Sequence, residues 1–156
     1  MSDSVLDENH TPDMGVAYRH LCQVHAERRA YRIGARYITW AESRVRVQRL
    51  AALTLASLGD RPPDAQRPVV ALLLANSPLL MECFFAAAVG RFVVLPINYR
   101  LAQNEIVDIL QASGARVLVT SAEHAVKLDA FDWGSLTVEH VFWADDAQHP
   151  LRCPTS

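Results

Sequence analysis

Lys127 is the only lysine among the 15 basic residues of this chain; the others are arginines. A lysine amine whose pKa is lowered can act as nucleophile or base, whereas an arginine keeps its charge and serves to hold anions. Arg44, Arg46 and Arg49 fall together in a helix-length segment and suggest a phosphate contact. Such a run is more often a solvated helix face, and that is the reading adopted. His20 and His25 are not four residues apart and have no carboxylate at metal-ligand spacing, so they read as surface or boundary residues. His140 with Asp145 or Asp146 is the set that a serine would join in a nucleophilic triad, but the spacing fixes no geometry. Asp145-Asp146 has the chemistry for a hard cation and reads instead as a solvated turn. The six glycines stand apart, at 15, 34, 59, 90, 114 and 134. A phosphate cradle needs small residues clustered so that backbone N–H groups can approach the anion, and no Walker loop or Gly-x-Gly-x-x-Gly fingerprint is present. No Gly-x-Ser-x-Gly elbow exposes a serine. The residues therefore assign no catalytic, cofactor-binding or metal-ligating side chain.

The elements that would position any site centre on the stretch from Val69 to Thr120. Val69-Val-Ala-Leu-Leu-Leu-Ala75, Val93-Val-Leu-Pro-Ile97 and Arg116-Val-Leu-Val-Thr120 are three short apolar runs separated by two helix-length segments. Unbroken hydrophobic strands are buried on both faces, so two βαβ crossovers in a parallel sheet covered by helices are expected. Ser77 caps the first helix with Pro78 at its first position, and Gly90 and Gly114 sit where left-handed C-caps are wanted. That helix carries one charge, Glu82, and is otherwise apolar all round, which marks a buried helix; its Met and Phe residues read as core. It is too short to span a bilayer, which takes ~20 apolar residues. The second helix keeps Ile106, Ile109 and Leu110 on one face and gives Glu105 and Asp108 to water.

Upstream, a helix over residues 14–29 shows an apolar stripe of Ala17, Leu21 and Val24. Residues 30–33 and 36–39 alternate around Gly34-Ala35, a type II′ hairpin signal. Thr39-Trp-Ala-Glu42 is a capping box opening a helix to about Leu58, with Val47, Leu50, Ala51 and Leu58 inward. Residues 60–68 form a loop rich in Pro and Asp. Downstream, Thr120-Ser-Ala-Glu123 predicts a second capping box with a short helix to about Phe131, and residues 138–143 a further strand. The domain reading is a disordered tail over 1–13, one domain over 14–145 and an unstructured end over 146–156.

Composition narrows the classes. At 156 residues and a formal net charge of -2, the chain is long enough for a real core and shows no bias toward nucleic acid or an anionic membrane. Three distant cysteines without a Cys-x-x-Cys pair argue against a disulfide framework or zinc site and fit a reducing cytoplasm. The N-terminus has acids where a secretory signal would have basic and apolar residues, so no export is expected.

An ordered series of short strings resembles the N-terminal part of AMP-forming acyl-CoA synthetases, within the adenylate-forming ligases. It runs through Ala30-Tyr-Arg-Ile-Gly34, Ile38-Thr-Trp-Ala-Glu42, Asn76-Ser-Pro78, and Ala87-Ala-Val-Gly90. It continues in Val93-Val-Leu-Pro-Ile-Asn-Tyr-Arg-Leu101, Glu105-Ile106 and Ser113-Gly-Ala-Arg116. Arg91 stands where that family usually has a small residue, and Ala102 where it has threonine or serine. The family's phosphate loop, adenosine-binding motifs, ribose-binding aspartate and catalytic lysine lie downstream of this segment, and Lys127 does not match that lysine. The resemblance implies an α/β fold with a partly parallel sheet, flanking helices and a peripheral hairpin, the N-terminal part of the synthetase large domain. It implies ligation of a carboxylic acid to coenzyme A through an acyl-adenylate, with ATP, magnesium and CoA for the full-length family and no cofactor for this chain, which is expected to be inactive alone. The rival expectation is a non-catalytic module that docks onto a protein partner; the isolated chain itself is expected to self-associate or meet a protein partner through exposed sheet. A flavodoxin-like nucleotide binder is disfavoured by the missing phosphate loop.

Overall fold

A computed structural model describes residues 13–59, 66–129 and 131–144. The acidic tail, most of the Pro- and Asp-rich loop, and Asp145, Asp146 and Cys153 lie outside them. Helix α1 (Met14–Val24) is followed by strands β1 (Arg29–Ile33) and β2 (Arg36–Thr39) and by helix α2 (Trp40–Leu58). Then come β3 (Val69–Leu73), α3 (Pro78–Gly90), β4 (Val93–Pro96), α4 (Gln103–Ser113) and β5 (Val117–Ser121). A 3-10 turn (Ala122–His124), α5 (Ala125–Leu128), a second 3-10 turn (Trp133–Ser135) and β6 (His140–Ala144) complete the order.

The four central strands form one sheet in the order β4-β3-β5-β6, and all three pairings are parallel. Alternation along β3 explains its unbroken apolar run. Val70 and Leu72 enter a core with Val47, Leu50, Leu58, Val117 and Val119, under α2 and α3. Ala71 and Leu73 point the other way, to Ile106, Leu110, Leu118 and Leu128, under α4 and α5. Both faces are covered, as parallel sheets require.

The local signals act as their chemistry demands. Glu42 N donates to Thr39 Oγ1 at 3.2 Å and Thr39 N to Glu42 Oε2 at 2.9 Å, closing the capping box that starts α2. In the β1–β2 hairpin Ile33 pairs with Arg36 across Gly34-Ala35. Gly34 has φ +55° while Ala35 is absent from the positive-φ residues, as a II′ turn requires and a I′ turn forbids. Ser77 caps α3 at Leu80 N, 3.3 Å.

Four expectations need correction. Helix α1 stops at Val24 and buries Tyr18 and Cys22, while Ala17 is exposed and Val24 is 58% exposed. The helix is rotated because the Tyr18 ring stacks on Phe85, with centroids 4.4 Å apart, and its hydroxyl meets Ser43 Oγ at 2.9 Å. Gly90 stays inside α3, and the left-handed C-cap falls on Arg91, with φ 58° and ψ 38°. Phe92 turns back over Gly90, where an added Cβ would lie 2.8 Å from its ring, so the glycine is needed for space rather than for its dihedrals. Thr120 does not cap a helix. It is a fully buried β5 residue paired with Leu73 and Trp143, its hydroxyl has no hydrogen-bond partner among the described residues, and the chain runs through a 3-10 turn into the short α5.

The fourth correction concerns the arginines. Arg44 and Arg49 face solvent, but Arg46 reaches inward: its Nε lies 2.5 Å from Glu82 Oε1 and its Nη2 3.0 Å from Oε2. The Tyr31 hydroxyl donates to the same carboxylate. Glu82 has no exposed surface, so the lone charge of α3 is neutralised by α2 and the hairpin. Burial, reinforced by the Glu82 hydrogen bond, pushes the Tyr31 phenol well above its usual range.

Two substitutions check this account. Ala102 caps α4 from extended backbone while Glu105 Oε2 accepts Ala102 N at 2.8 Å, so half of a capping box is built and the other half lacks an oxygen. Ala102→Thr is expected to raise the free energy of unfolding by about 0.5–2 kcal/mol in urea titration at unchanged slope. Arg46→Met leaves a buried carboxylate unpaired and is expected to lower it by about 3–5 kcal/mol. Adding Glu82→Met and Tyr31→Phe should restore most of that loss, and a triple variant as weak as the single one would show that the ion pair is not what matters.

Candidate functional site

Adjacent strands β3 and β4 send their chains to opposite sides of the sheet. After β3 the chain passes through Asn76 and Ser77 into α3 on one face; after β4 it passes through residues 97–102 into α4 on the other. Loops that diverge from neighbouring parallel strands open a crevice at the strands' carboxyl ends. Here that crevice is a cleft of about 370 Å³ lined by Leu74, Asn76, Leu80, Ile97, Tyr99 and Arg100.

The loop after β4 is closely built. Ile97 N donates to Leu72 O at 2.9 Å, extending the ladder past Pro96. Asn98 Oδ1 accepts Arg100 N at 3.0 Å, and Leu101 N donates to Asn98 O at 3.1 Å, so Asn98 closes the turn on its own backbone. The Arg100 guanidinium lies 5.6 Å from the centroid of the Tyr99 ring, and that ring also stacks on His124, with centroids 5.4 Å apart. Lys127 does not match the family's catalytic lysine and lies on the short helix α5. It is half-buried, and its Nζ donates to Tyr99 O and, at 2.9 Å, to Leu101 O. The single lysine therefore holds the turn that presents Arg100 at the cleft.

The arrangement offers an exposed guanidinium on an aromatic platform, a side-chain amide at Asn76, and an apolar wall. That suits recognition of an anionic or polar ligand, since a cation on a fixed turn needs little reorganisation to bind. It contains no nucleophile paired with a base. Among the described residues no three His, Cys, Asp or Glu side chains converge to hold a metal ion. His20 is exposed on α1, His25 is the C-cap of that helix, and His140 opens β6 on the far side of the sheet. Cys22 and Cys83 are buried and unpaired, and burial pushes the Cys83 thiol up to about 12. Asn98 and Arg100 carried a sequence signal only as part of the family string; their distance from Lys127 in the chain hid the clip that orders them.

Comparison with known proteins identifies the family and the fold. The model of the AMP-binding enzyme family matches residues 18–151. A feruloyl-CoA synthase from an Amycolatopsis species is 39% identical over 107 residues, which cover 69% of this chain and 21% of that protein. 4-Coumarate--CoA ligase 1 of Oryza sativa subsp. japonica is 38% identical over 93 residues, covering 59% of this chain and 16% of the ligase. Among solved structures, a Mycobacterium tuberculosis fatty acyl CoA synthetase superposes with a TM-score of 0.72 at 29% identity, over 86% of this chain and 27% of its own. The chain thus spans about a fifth or less of the length of the curated relatives it matches.

Lys127→Met is expected to release the turn without unfolding the domain. Amide exchange at Arg100 and Leu101 should accelerate at least about tenfold, the scale of losing charge-assisted hydrogen bonds, while α2 and α3 amides stay protected. Uniform acceleration would mean that Lys127 supports the whole fold rather than the turn.

Proposed function

This chain belongs to the AMP-binding enzyme family, and on that footing we propose that it is the N-terminal portion of an ATP-dependent acid–thiol ligase. The parent reaction joins a carboxylic acid to coenzyme A through an acyl-adenylate. The observation that carries the reading is the family match over residues 18–151, shared with relatives named for CoA ligation of feruloyl, 4-coumarate and fatty acyl groups. In this portion the carboxyl-end cleft supplies binding and not bond-making: Arg100 offers a fixed cation to the phosphate-bearing reactants, held in place through Tyr99, His124 and Lys127.

These residues do not perform the reaction alone. Adenylate formation needs clustered donors and cations around the transferring phosphoryl group. Here the glycines are dispersed, the one lysine is committed to two backbone carbonyls, and the described acids do not converge to fit magnesium. The 156-residue chain is therefore expected to show no acid-dependent exchange of labelled pyrophosphate into ATP with ferulate, 4-coumarate or a long-chain fatty acid. Exchange that depends on the acid and persists through purification would overturn the inactive reading.

A second reading, a non-catalytic module that docks onto another polypeptide, is favoured by the β4 edge. Among the described residues that strand has one sheet neighbour, and its Val93 is 43% exposed. Unpaired edges with apolar side chains recruit further strands. Co-purification of a stoichiometric protein partner is the outcome expected of this second reading, and its absence favours the ligase portion; sedimentation at tens of micromolar tests the edge itself, since a concentration-independent monomer speaks against self-association through it.

A further inference from the structure

At the opposite end of β4 lies a second and larger cleft, about 600 Å³, which the ligase reading does not use. Three arginines from three separate elements line it: Arg19 of α1, Arg67 just before β3, and Arg91 at the C-cap of α3. Its apolar wall is Phe84, Phe92 and Val94. Among the described residues Asp13 is the one acid in the lining; its Oδ1 accepts from Val16 N at 3.1 Å and Gly15 N at 2.7 Å, and those bonds, with weaker help from the charges of Arg19 and Arg91, hold its carboxyl below the usual range. Among the described residues none of the three guanidinium groups makes a hydrogen bond or an ion pair. The cleft is thus cationic on one side and apolar on the other, and its volume is in the range that takes small molecules.

Arg91 supplies an independent observation. It is the one described non-glycine residue with positive φ. That position ends a helix in the left-handed conformation, where glycine is ordinarily preferred because a Cβ is strained there. An arginine at this point costs backbone strain and, in return, places a guanidinium at the cleft. Strain of this kind collects where a side chain is wanted for function.

We propose that this cleft binds an amphipathic anion, a carboxylate or phosphate monoester with an apolar body. The anionic head pairs with Arg91, Arg19 and Arg67, whose planar forks match two oxygens at once. The apolar body lies on Phe84, Phe92 and Val94.

The test uses the full chain and three probes of equal length, decanoate, decyl phosphate and decanol, each below its micelle-forming concentration, followed by calorimetry. Decanoate or decyl phosphate is expected to bind saturably and decanol not, and the ratio of the first two identifies the preferred head group. Arg91→Gly removes the cation while relieving the backbone, so it should unfold at or above the parent's midpoint and yet bind about tenfold more weakly or worse, the order expected for one charge-assisted contact. Arg19→Gln and Arg67→Gln should each weaken binding severalfold, while Arg49→Gln, an exposed arginine on α2, should leave it unchanged. Binding of decanol as tight as that of decanoate, equal binding by Arg91→Gly and the parent, or no saturable binding of either anion would overturn the proposal.

Discussion

A carboxylate with no access to water has to be neutralised where it sits, and in this chain that requirement joins the N-terminal elements to the sheet. Glu82 is buried in the middle of an apolar helix, against which Arg46 and Tyr31 close from α2 and the hairpin. Leaving such a charge unpaired in a low-dielectric interior is expensive, whereas its paired form is tolerated. The hairpin, α2 and α3 therefore have a specific relative placement in addition to their hydrophobic contacts. Tyr18 adds to it from α1, through its stack on Phe85 and its hydroxyl contact with Ser43.

With α3 held on one face, the topology of the sheet determines where a ligand can be met. β3 and β4 leave the sheet toward opposite layers, and the gap between their loops is the cleft that Arg100 overlooks. The loop buries Ile97 and packs Tyr99 and Leu101 against the core, and polar devices fix its turn: Asn98 on its own backbone, the aromatic stack and the ammonium of Lys127 on two carbonyls. His124 and Lys127, the outer halves of the last two, are supplied by the segment after β5. The arrangement is one in which a later crossover sets the shape of an earlier loop.

The two clefts show two uses of arginine. Arg100 is carried by a turn whose backbone is relaxed and clipped, while Arg91 occupies a backbone region that a side chain rarely adopts. One cation is positioned by hydrogen bonds from its surroundings and the other by the end of a helix. Arg46 is a third case, drawn largely out of water by a buried carboxylate partner.

By itself the sequence determined the elements whose causes are local. Periodicity, capping residues and turn residues are interactions within a few positions, and they suffice for the α2 capping box, the Gly34 turn, the Ser77-Pro78 helix start and the three apolar strands. The family string added the ligase kinship. Only the tertiary structure decided which face of α1 is buried, because Tyr18 and Cys22 find partners on α2 and α3 that no period of 3.6 reveals. It decided that Arg46 goes inward although Arg44 and Arg49 do not, because Glu82, far along the chain, is brought beneath it. It decided that Thr120 serves as a strand residue rather than a cap, because pairing on both sides of β5 outweighs one side-chain hydrogen bond. It also decided that Lys127 and Arg91 have tasks, one on a distant turn and one at the end of a helix. In each case the deciding partner is distant in sequence, so the energy that selects the conformation does not exist until the chain has closed on itself.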